Sequence, residues 1–184
     1  MKDNDGLVDS LKNRGRIKTE KVEKAFRATD RAVFVKEEYG DRAYQDRPLP
    51  INGEETISAP HMVAINTELL EIEKDSRVVE IGSGSGYQAA ILGQIAGEVI
   101  GVEIVEKLVE MSRERMEELR LDNVKIIHGS GLEPVEGEFD RILYSCAISR
   151  GRFEEAKNRL SEKGILVAPV ITGSGQVMKK FKDG

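Results

Sequence analysis

Short apolar runs alternate with longer segments of mixed polarity from Asp75 to the end of the chain. Such runs predict strands that are covered on both faces, as the strands of a parallel sheet are. Strands are predicted over 77–81, 98–103, 124–128, 140–144 and 165–170, with a sixth over 176–181. The segments between them that have the spacing of amphipathic helices are 87–96, 105–120 and 152–160. This alternation predicts an α/β fold with a doubly wound, mostly parallel sheet.

The N-terminal part of the chain is more polar and reads as short helices followed by a loop. Thr19 can cap a helix over 20–27, because a threonine before a charged first turn is a common helix start. Prolines and an Asn-Gly pair predict a loop over 41–57. A further helix is expected to begin near Ser58 or Pro60.

Length and composition narrow the class of protein. The chain has 184 residues, which suits a single domain over 1–184. Within it we expect a helical and loop cap over 1–57 and a cofactor-binding α/β core over 58–184. The 28 Lys and Arg against 33 Asp and Glu give a net charge of −5, and tryptophan is absent. That balance argues against nucleic acid as a partner. The chain has no excess of positive charge to bind phosphates and no tryptophan on which bases could stack.

Cysteine usage and hydropathy predict the compartment. A single cysteine, Cys146, excludes an intrachain disulfide and fits a reducing environment. His61 and His128 lie far apart with no cysteine cluster beside them, which argues against a structural metal site. The polar start shows no secretory signal, and the longest apolar run, 165–171, is too short to cross a bilayer. We expect a cytoplasmic protein without metal and without a membrane partner.

The strongest chemical signal is a glycine-rich turn after the first strand of the core, Glu80-Ile81-Gly82-Ser83-Gly84-Ser85-Gly86. A dinucleotide fingerprint needs a further glycine at the position of Tyr87, and a phosphate-binding P-loop needs a lysine followed by Ser or Thr. The spacing is instead typical of S-adenosylmethionine-dependent methyltransferases. The alternative is a turn that binds nothing.

Glu103 ends the second predicted strand of the core, 17 residues after Gly86. A carboxylate there can accept hydrogen bonds from both hydroxyls of a ribose. The alternative is a solvated acid at a strand end. Its pairing with the glycine turn favours the ribose role.

The block Thr56-Ile57-Ser58-Ala59-Pro60-His61-Met62 is the second signal. Taken alone, the block indicates the start of a helix, with Ser58 as the N-cap, Pro60 in the first turn and His61 on the surface.

Together with Tyr44-Gln45-Asp46-Arg47-Pro48-Leu49-Pro50-Ile51 before it and the glycine turn after it, this block resembles the protein-L-isoaspartate O-methyltransferase family. The order and separation of the blocks match as well, and the similarity continues through 101–103, 139–142 and 164–170 to Gln176.

The resemblance implies a fold, a reaction and a set of site residues. It implies a Rossmann-like methyltransferase that uses S-adenosyl-L-methionine to methylate the α-carboxyl of L-isoaspartyl residues in damaged proteins or peptides, acting as a monomer. It implies that Ser58 is the catalytic serine and also touches the cofactor. The other residues expected at the cofactor are Thr56, Ile57, Gly82, Ser83, Gly84, Glu103, Ser130 and Gly131. Those expected at the substrate are Asp46, Pro48 and His61.

Several positions depart from the family pattern. Ser130 stands where the family usually has Asp, Glu54 and Glu55 add negative charge, and the segment 145–150 replaces one rich in Thr and Ala. Family members also normally continue beyond Gly184. These departures leave two alternatives open: a methyltransferase for another carboxylate acceptor, or a cofactor-binding module without turnover.

Overall fold

The computed structural model describes residues 2–53 and 55–183. The expectation for Glu54 therefore lies outside the described residues. Within these residues the six α-helices are α1 (Asn4–Asn13), α2 (Glu20–Ala28), α3 (Pro60–Leu69), α4 (Tyr87–Gly93), α5 (Glu106–Glu118) and α6 (Arg150–Lys157). The strands are β1 (Leu49–Asn52), β2 (Glu55–Ile57), β3 (Arg77–Ile81), β4 (Glu98–Glu103), β5 (Val124–His128), β6 (Phe139–Tyr144), β7 (Leu160–Thr172) and β8 (Gly175–Lys182).

The main sheet has the order β5-β4-β3-β6-β7-β8 and confirms the predicted fold class. All neighbouring strands run parallel except β7 and β8, which form an antiparallel pair. The chain winds outward from β3 through β4 to β5 and then returns to place β6 on the other side of β3. This reversal leaves a crevice at the carboxyl ends of β3 and β6, where ligands bind in such sheets.

The expectation of a loop over 41–57 holds for 43–48 but was wrong for the two strands that follow. Leu49 to Asn52 and Glu55 to Ile57 pair as a short antiparallel hairpin, and a 3-10 helix, Glu37–Arg42, precedes it. Pro50 is tolerated because a two-stranded sheet has free edges, where a missing backbone donor costs little. Ile51 and Ile57 are buried, so the hairpin is anchored by its apolar face.

The observed bounds of several elements also differ from the predicted ones. β7 extends beyond 165–170 at both ends: Leu160 pairs with Phe139 of β6, and the pairing with β8 runs from Ile165–Lys182 to Thr172–Gly175. α6 begins at Arg150 rather than 152, since the Ser149 side chain accepts a hydrogen bond from the Arg152 amide and caps the helix. Thr19 occupies the N-cap of α2 as predicted but makes no capping bond; its hydroxyl contacts the carboxylate of Glu68 instead.

Two apolar clusters cover the two faces of the sheet. One contains Phe139, Ile142 and Phe153, and lies beneath α6. The other joins Leu7 and Phe26 of the N-terminal helices to Val78 and Ile165 of the sheet. The N-terminal segment is therefore packed on the core, which holds the Thr56–Met62 block over the carboxyl ends of the strands.

Candidate active site

A cavity of about 530 Å³ opens at the carboxyl ends of β3, β4, β5 and β6. Its walls come from the glycine turn, the ends of these strands, the β1–β2 hairpin and the start of α6. The lining residues are Ile51, Glu55, Thr56, Ile81, Gly82, Gly84, Val102, Glu103, Ile104, Val105, Leu108, Gly129, Ser130, Gly131, Tyr144, Cys146, Ala147, Ile148, Ser149 and Arg152. Six of the predicted cofactor residues thus meet in one cavity, although they come from four separate parts of the chain.

The glycine turn bends sharply because its glycines adopt left-handed backbone angles. The φ angles of Gly82 and Gly84 are +82° and +52°, which side-chain-bearing residues rarely adopt. A Cβ on Gly82 would stand 3.4 Å from Cys146, and one on Gly84 would stand 3.5 Å from Cδ1 of Ile51. The turn is therefore a cradle that leaves main-chain atoms open to the cavity.

Glu103 bridges the glycine turn and the start of α5. Its Oε2 accepts a hydrogen bond from the Gly84 amide at 2.8 Å, and its Oε1 accepts from the amides of Ile104 and Val105 at 2.8 and 3.0 Å. The side chain is buried yet lines the cavity. Since a carboxylate offers about four lone pairs, it can hold the turn in place and still accept from a ligand hydroxyl.

A second acid, Glu80, lies beneath the turn and is completely buried. Its Oε1 accepts a hydrogen bond from the Ser145 hydroxyl at 2.5 Å, while Oε2 has no partner among the described residues. Burial raises the pKa of the Glu80 carboxyl to about 8, and the nearby Glu103 adds to the rise against the opposing effect of Ser145. Sequence reasoning assigned Glu80 no role, although its place before the glycine turn was visible.

A smaller cavity of about 60 Å³ adjoins the first and contains the remaining predicted cofactor residues, Ile57, Ser58 and Ser83. Thr56, Gly82 and Gly84 line both cavities, so the two spaces are separated only by the turn and the hairpin. The buried Ser83 hydroxyl has no hydrogen-bond partner among the described residues. A free buried polar atom of this kind fits a polar ligand bound at the turn.

The alternative in which Ser58 is a plain N-cap is wrong. Ala59 occupies the N-cap of α3, no side chain caps the helix, and Pro60 supplies the first turn. Ser58 is exposed, so its hydroxyl is available to a ligand.

The backbone at Ser58 is fixed by Arg31, which sequence reasoning missed. Arg31 is fully buried and donates to the carbonyls of Ala43, Ser58 and Arg47 at 2.9, 2.9 and 3.2 Å. Its guanidinium also lies 5.2 Å from the centre of the Tyr87 ring. Nothing in the local sequence marks this arginine, because its partners are 12 to 27 residues away.

The three predicted substrate residues lie outside both cavities. Asp46 accepts hydrogen bonds from the backbone amide and the ring of His61, at 2.9 and 2.8 Å. This pair ties the connection between the 3-10 helix and β1 to the first turn of α3. Pro48 is exposed at the start of the hairpin.

No helix in the described part of the chain is long and apolar enough to cross a membrane. Within residues 2–53 and 55–183, His, Cys, Asp and Glu side chains form no group of three that could hold a metal ion.

Comparison with known proteins identifies the family. The sequence model of protein-L-isoaspartate(D-aspartate) O-methyltransferase matches residues 2–184. A protein-L-isoaspartate O-methyltransferase of Pyrobaculum islandicum is 42% identical over 181 residues, covering 95% of this chain and 87% of that protein. A Plasmodium falciparum structure of the same description, in complex with S-adenosyl-L-homocysteine, superposes with a TM-score of 0.86 at 30% identity, covering 100% of this chain and 94% of the other. The chain belongs to the protein-L-isoaspartate(D-aspartate) O-methyltransferase family.

Proposed function

We propose that this protein transfers the methyl group of S-adenosyl-L-methionine to the α-carboxylate of L-isoaspartyl residues in proteins or peptides. The observation that carries the proposal is the junction of the two cavities: a glycine cradle and a strand-end carboxylate border one, and an exposed serine held by a buried arginine borders the other. The relatives of known description support the same reaction.

The cofactor fits the residues that are present. The open backbone at Gly82 and Gly84 and the free hydroxyl of Ser83 would hold its amino-acid part. Glu103 would accept from the ribose hydroxyls, and the 129–131 segment would flank the base. A cationic amino group at the turn would also offset the cost of ionising the buried Glu80.

The reaction makes modest chemical demands on the protein. S-adenosyl-L-methionine supplies a methyl group on a positively charged sulfur. A carboxylate with a pKa near 4 is already ionised at neutral pH, so it needs no general base. The protein has to align the reacting atoms and remove water from the attacking oxygen.

Ser58 suits this task because a hydroxyl donates one hydrogen bond and takes no proton from the substrate. It would orient the carboxylate, while Arg31 holds the Ser58 backbone from beneath. The Asp46–His61 pair, together with Pro48, would shape the entrance through which a peptide reaches Ser58.

A paired assay tests the proposal. Purified protein is incubated with methyl-labelled S-adenosyl-L-methionine and either an isoaspartyl peptide or its normal aspartyl counterpart, and cofactor binding is measured separately by calorimetric titration. We expect binding of the cofactor and methylation of the isoaspartyl peptide alone. Equal methylation of both peptides would indicate another acceptor, and binding without methylation of either would indicate a module without turnover.

We further propose that residues 1–184 act as one domain, as a monomer in the cytoplasm. The apolar cluster shared by the cap and the sheet supports a single cooperative unit. The single cysteine supports a reducing compartment. Light scattering tests the oligomeric state: a mass near 20.4 kDa is expected, and twice that value would overturn the monomer.

A further inference from the structure

Arg31 is a buried positive charge, and within residues 2–53 and 55–183 no carboxylate pairs with it. The side chain has no exposed surface, and its guanidinium donates only to backbone carbonyls. The acid whose charge reaches it is Asp46, which is bonded to His61 and paired with Arg14. An arginine stays charged when it is buried, and a buried charge without a partner costs stability. The position therefore calls for a further explanation than holding the fold together.

The guanidinium lies directly behind the wall of the smaller cavity. Ser58 and Tyr87 both line that cavity. Arg31 donates to the Ser58 carbonyl at 2.9 Å, and its Cζ lies 5.2 Å from the centre of the Tyr87 ring. Arg31 does not itself line either of the two cavities. What it offers to a group bound beside Ser58 is therefore its charge and not a hydrogen bond.

Little screens this charge from the smaller cavity. The atoms in between belong to the protein, and attraction between charges is stronger through protein than through water. Glu80 is the one acid among the residues that line the cavity. Burial raises the pKa of its carboxyl to about 8, so it is mostly protonated at neutral pH and does not cancel the guanidinium. The space beside Ser58 therefore has a positive potential.

We propose that Arg31 determines the charge specificity of the acceptor site, so that an anionic group is bound beside Ser58 in preference to a neutral one. This inference rests on the proposed function, since it assumes that the acceptor carboxylate lies at Ser58. In the transfer, a carboxylate oxygen bonds to the methyl carbon, the carbon–sulfur bond breaks and its electron pair stays on sulfur. No proton moves, and the anionic acceptor becomes a neutral ester. The charge of Arg31 therefore favours the acceptor over the product.

A purely structural role for Arg31 predicts a different result. If its bonds to the carbonyls of Ala43, Arg47 and Ser58 only fixed the backbone, their loss would weaken the binding of charged and neutral peptides alike. A role of the charge affects the anionic peptide alone. The ratio of the two affinities separates the two roles, whereas turnover would fall in both cases.

Binding measurements with two peptides test the inference. One is an isoaspartyl peptide, and the other is the same peptide with its α-carboxyl replaced by a carboxamide. Their dissociation constants are measured by calorimetry at pH 7 with saturating S-adenosyl-L-homocysteine, for the wild type, Arg31→Gln and Arg31→Lys. Thermal unfolding establishes that each variant is folded.

Arg159→Gln is the matched control. Like Arg31, Arg159 donates to three backbone carbonyls, and its Cζ lies 5.7 Å from the centre of an aromatic ring, that of Phe139. It precedes β7, at the amino ends of the strands, and lines neither of the two cavities. Its replacement removes the same kinds of contact at the opposite edge of the sheet.

We expect the wild type to bind the carboxylate peptide at least about tenfold more tightly than the carboxamide peptide. Arg31→Gln should reduce this ratio to about threefold or less, the remainder coming from the hydrogen bond of Ser58. Arg31→Lys keeps the charge and offers three donors, so its ratio should stay within about threefold of the wild type. Arg159→Gln should have the wild-type ratio.

Three results would overturn the inference and leave the proposed function intact. The first is a wild-type ratio in folded Arg31→Gln, and the second is an equal loss of the ratio in Arg31→Lys and Arg31→Gln. The third needs no variant: a wild type that methylates the isoaspartyl peptide but binds both peptides equally. A wild type that binds neither S-adenosyl-L-homocysteine nor either peptide would reject both the inference and the proposed function.

Discussion

The structure removes one of the two roles that the sequence allowed for Ser58, that of a helix N-cap. As an N-cap its hydroxyl would be engaged by the helix, but Ala59 takes that position and no side chain caps α3. The hydroxyl is therefore free to orient a carboxylate, and its removal should disturb the reaction rather than the fold.

We predict that Ser58→Ala lowers turnover with isoaspartyl peptide about 30- to 150-fold, as expected for a bond of about 2–3 kcal/mol formed mainly in the transition state. The melting temperature should stay within a few degrees of the wild type, because no capping bond is lost. Asp3→Ala is the matched control. It removes a real cap bond to the Gly6 amide and should cost about 0.5–2 kcal/mol of stability with normal turnover. Normal methylation by folded Ser58→Ala would contradict the catalytic role.

Glu103 combines two roles in one carboxylate, because it holds the glycine turn and faces the cavity. We predict that Glu103→Gln weakens cofactor binding by roughly 2–4 kcal/mol, since it replaces charge-assisted bonds with neutral ones. Titration with S-adenosyl-L-homocysteine measures the loss. Glu106→Gln, on the exposed side of the first turn of α5, should bind as the wild type does. Equal affinities for both variants would show that Glu103 does not contact the ribose.

At the scale of elements, the turn between β3 and α4 depends on backbone that only glycine adopts easily. Gly84 needs a φ of +52° and faces Ile51 across the cavity mouth. Gly15 has a φ of +66° in the connection after α1, with nothing near its missing side chain. A side chain would strain the backbone at either position. Only at Gly84 would it also meet a neighbouring residue.

We predict that Gly84→Val abolishes cofactor binding in a folded protein, because its side chain would fill the cradle as well as strain the turn. Gly15→Val should show the strain alone, about 1–2 kcal/mol of lost stability, with normal binding. Circular dichroism establishes folding and calorimetry measures affinity. If Gly84→Val binds normally, the turn is only a connection.

At the scale of the whole molecule, stability depends on an acid buried in the centre of the sheet. Glu80 lies under the glycine turn, and its pKa is raised to about 8 mainly by burial. The folded state therefore keeps a proton that the unfolded chain releases near its ordinary value of 4.5. This contribution to stability is complete below that value and is lost as the pH rises toward 8.

We predict that the ligand-free protein melts at a lower temperature at pH 8 than at pH 5, by at least about 2–4 °C. Glu80→Gln should remove most of this dependence, because the amide cannot ionise. Thermal unfolding of both proteins across the range measures the difference. An identical pH profile for the two would mean that Glu80 is already ionised in the folded protein.

Local sequence patterns were sufficient to predict the central strands of the sheet and the glycine turn. The bounds of β3, β4 and β5 match the predicted 77–81, 98–103 and 124–128, because buried parallel strands are short apolar runs bounded by turns. The glycine turn and Glu103 were also predicted together, since the carboxyl ends of neighbouring parallel strands share one edge of the sheet.

Only the tertiary structure determines which polar groups have hydrogen-bond partners and which do not. The β1–β2 hairpin, the support of Ser58 by Arg31 and the hydrogen bond from Ser145 to Glu80 all depend on how separate segments pack. Arg31 and Ser58 are 27 residues apart, and Glu80 and Ser145 are 65 apart. No periodicity marks such contacts, because they arise from packing between elements and not from the preferences of any one of them.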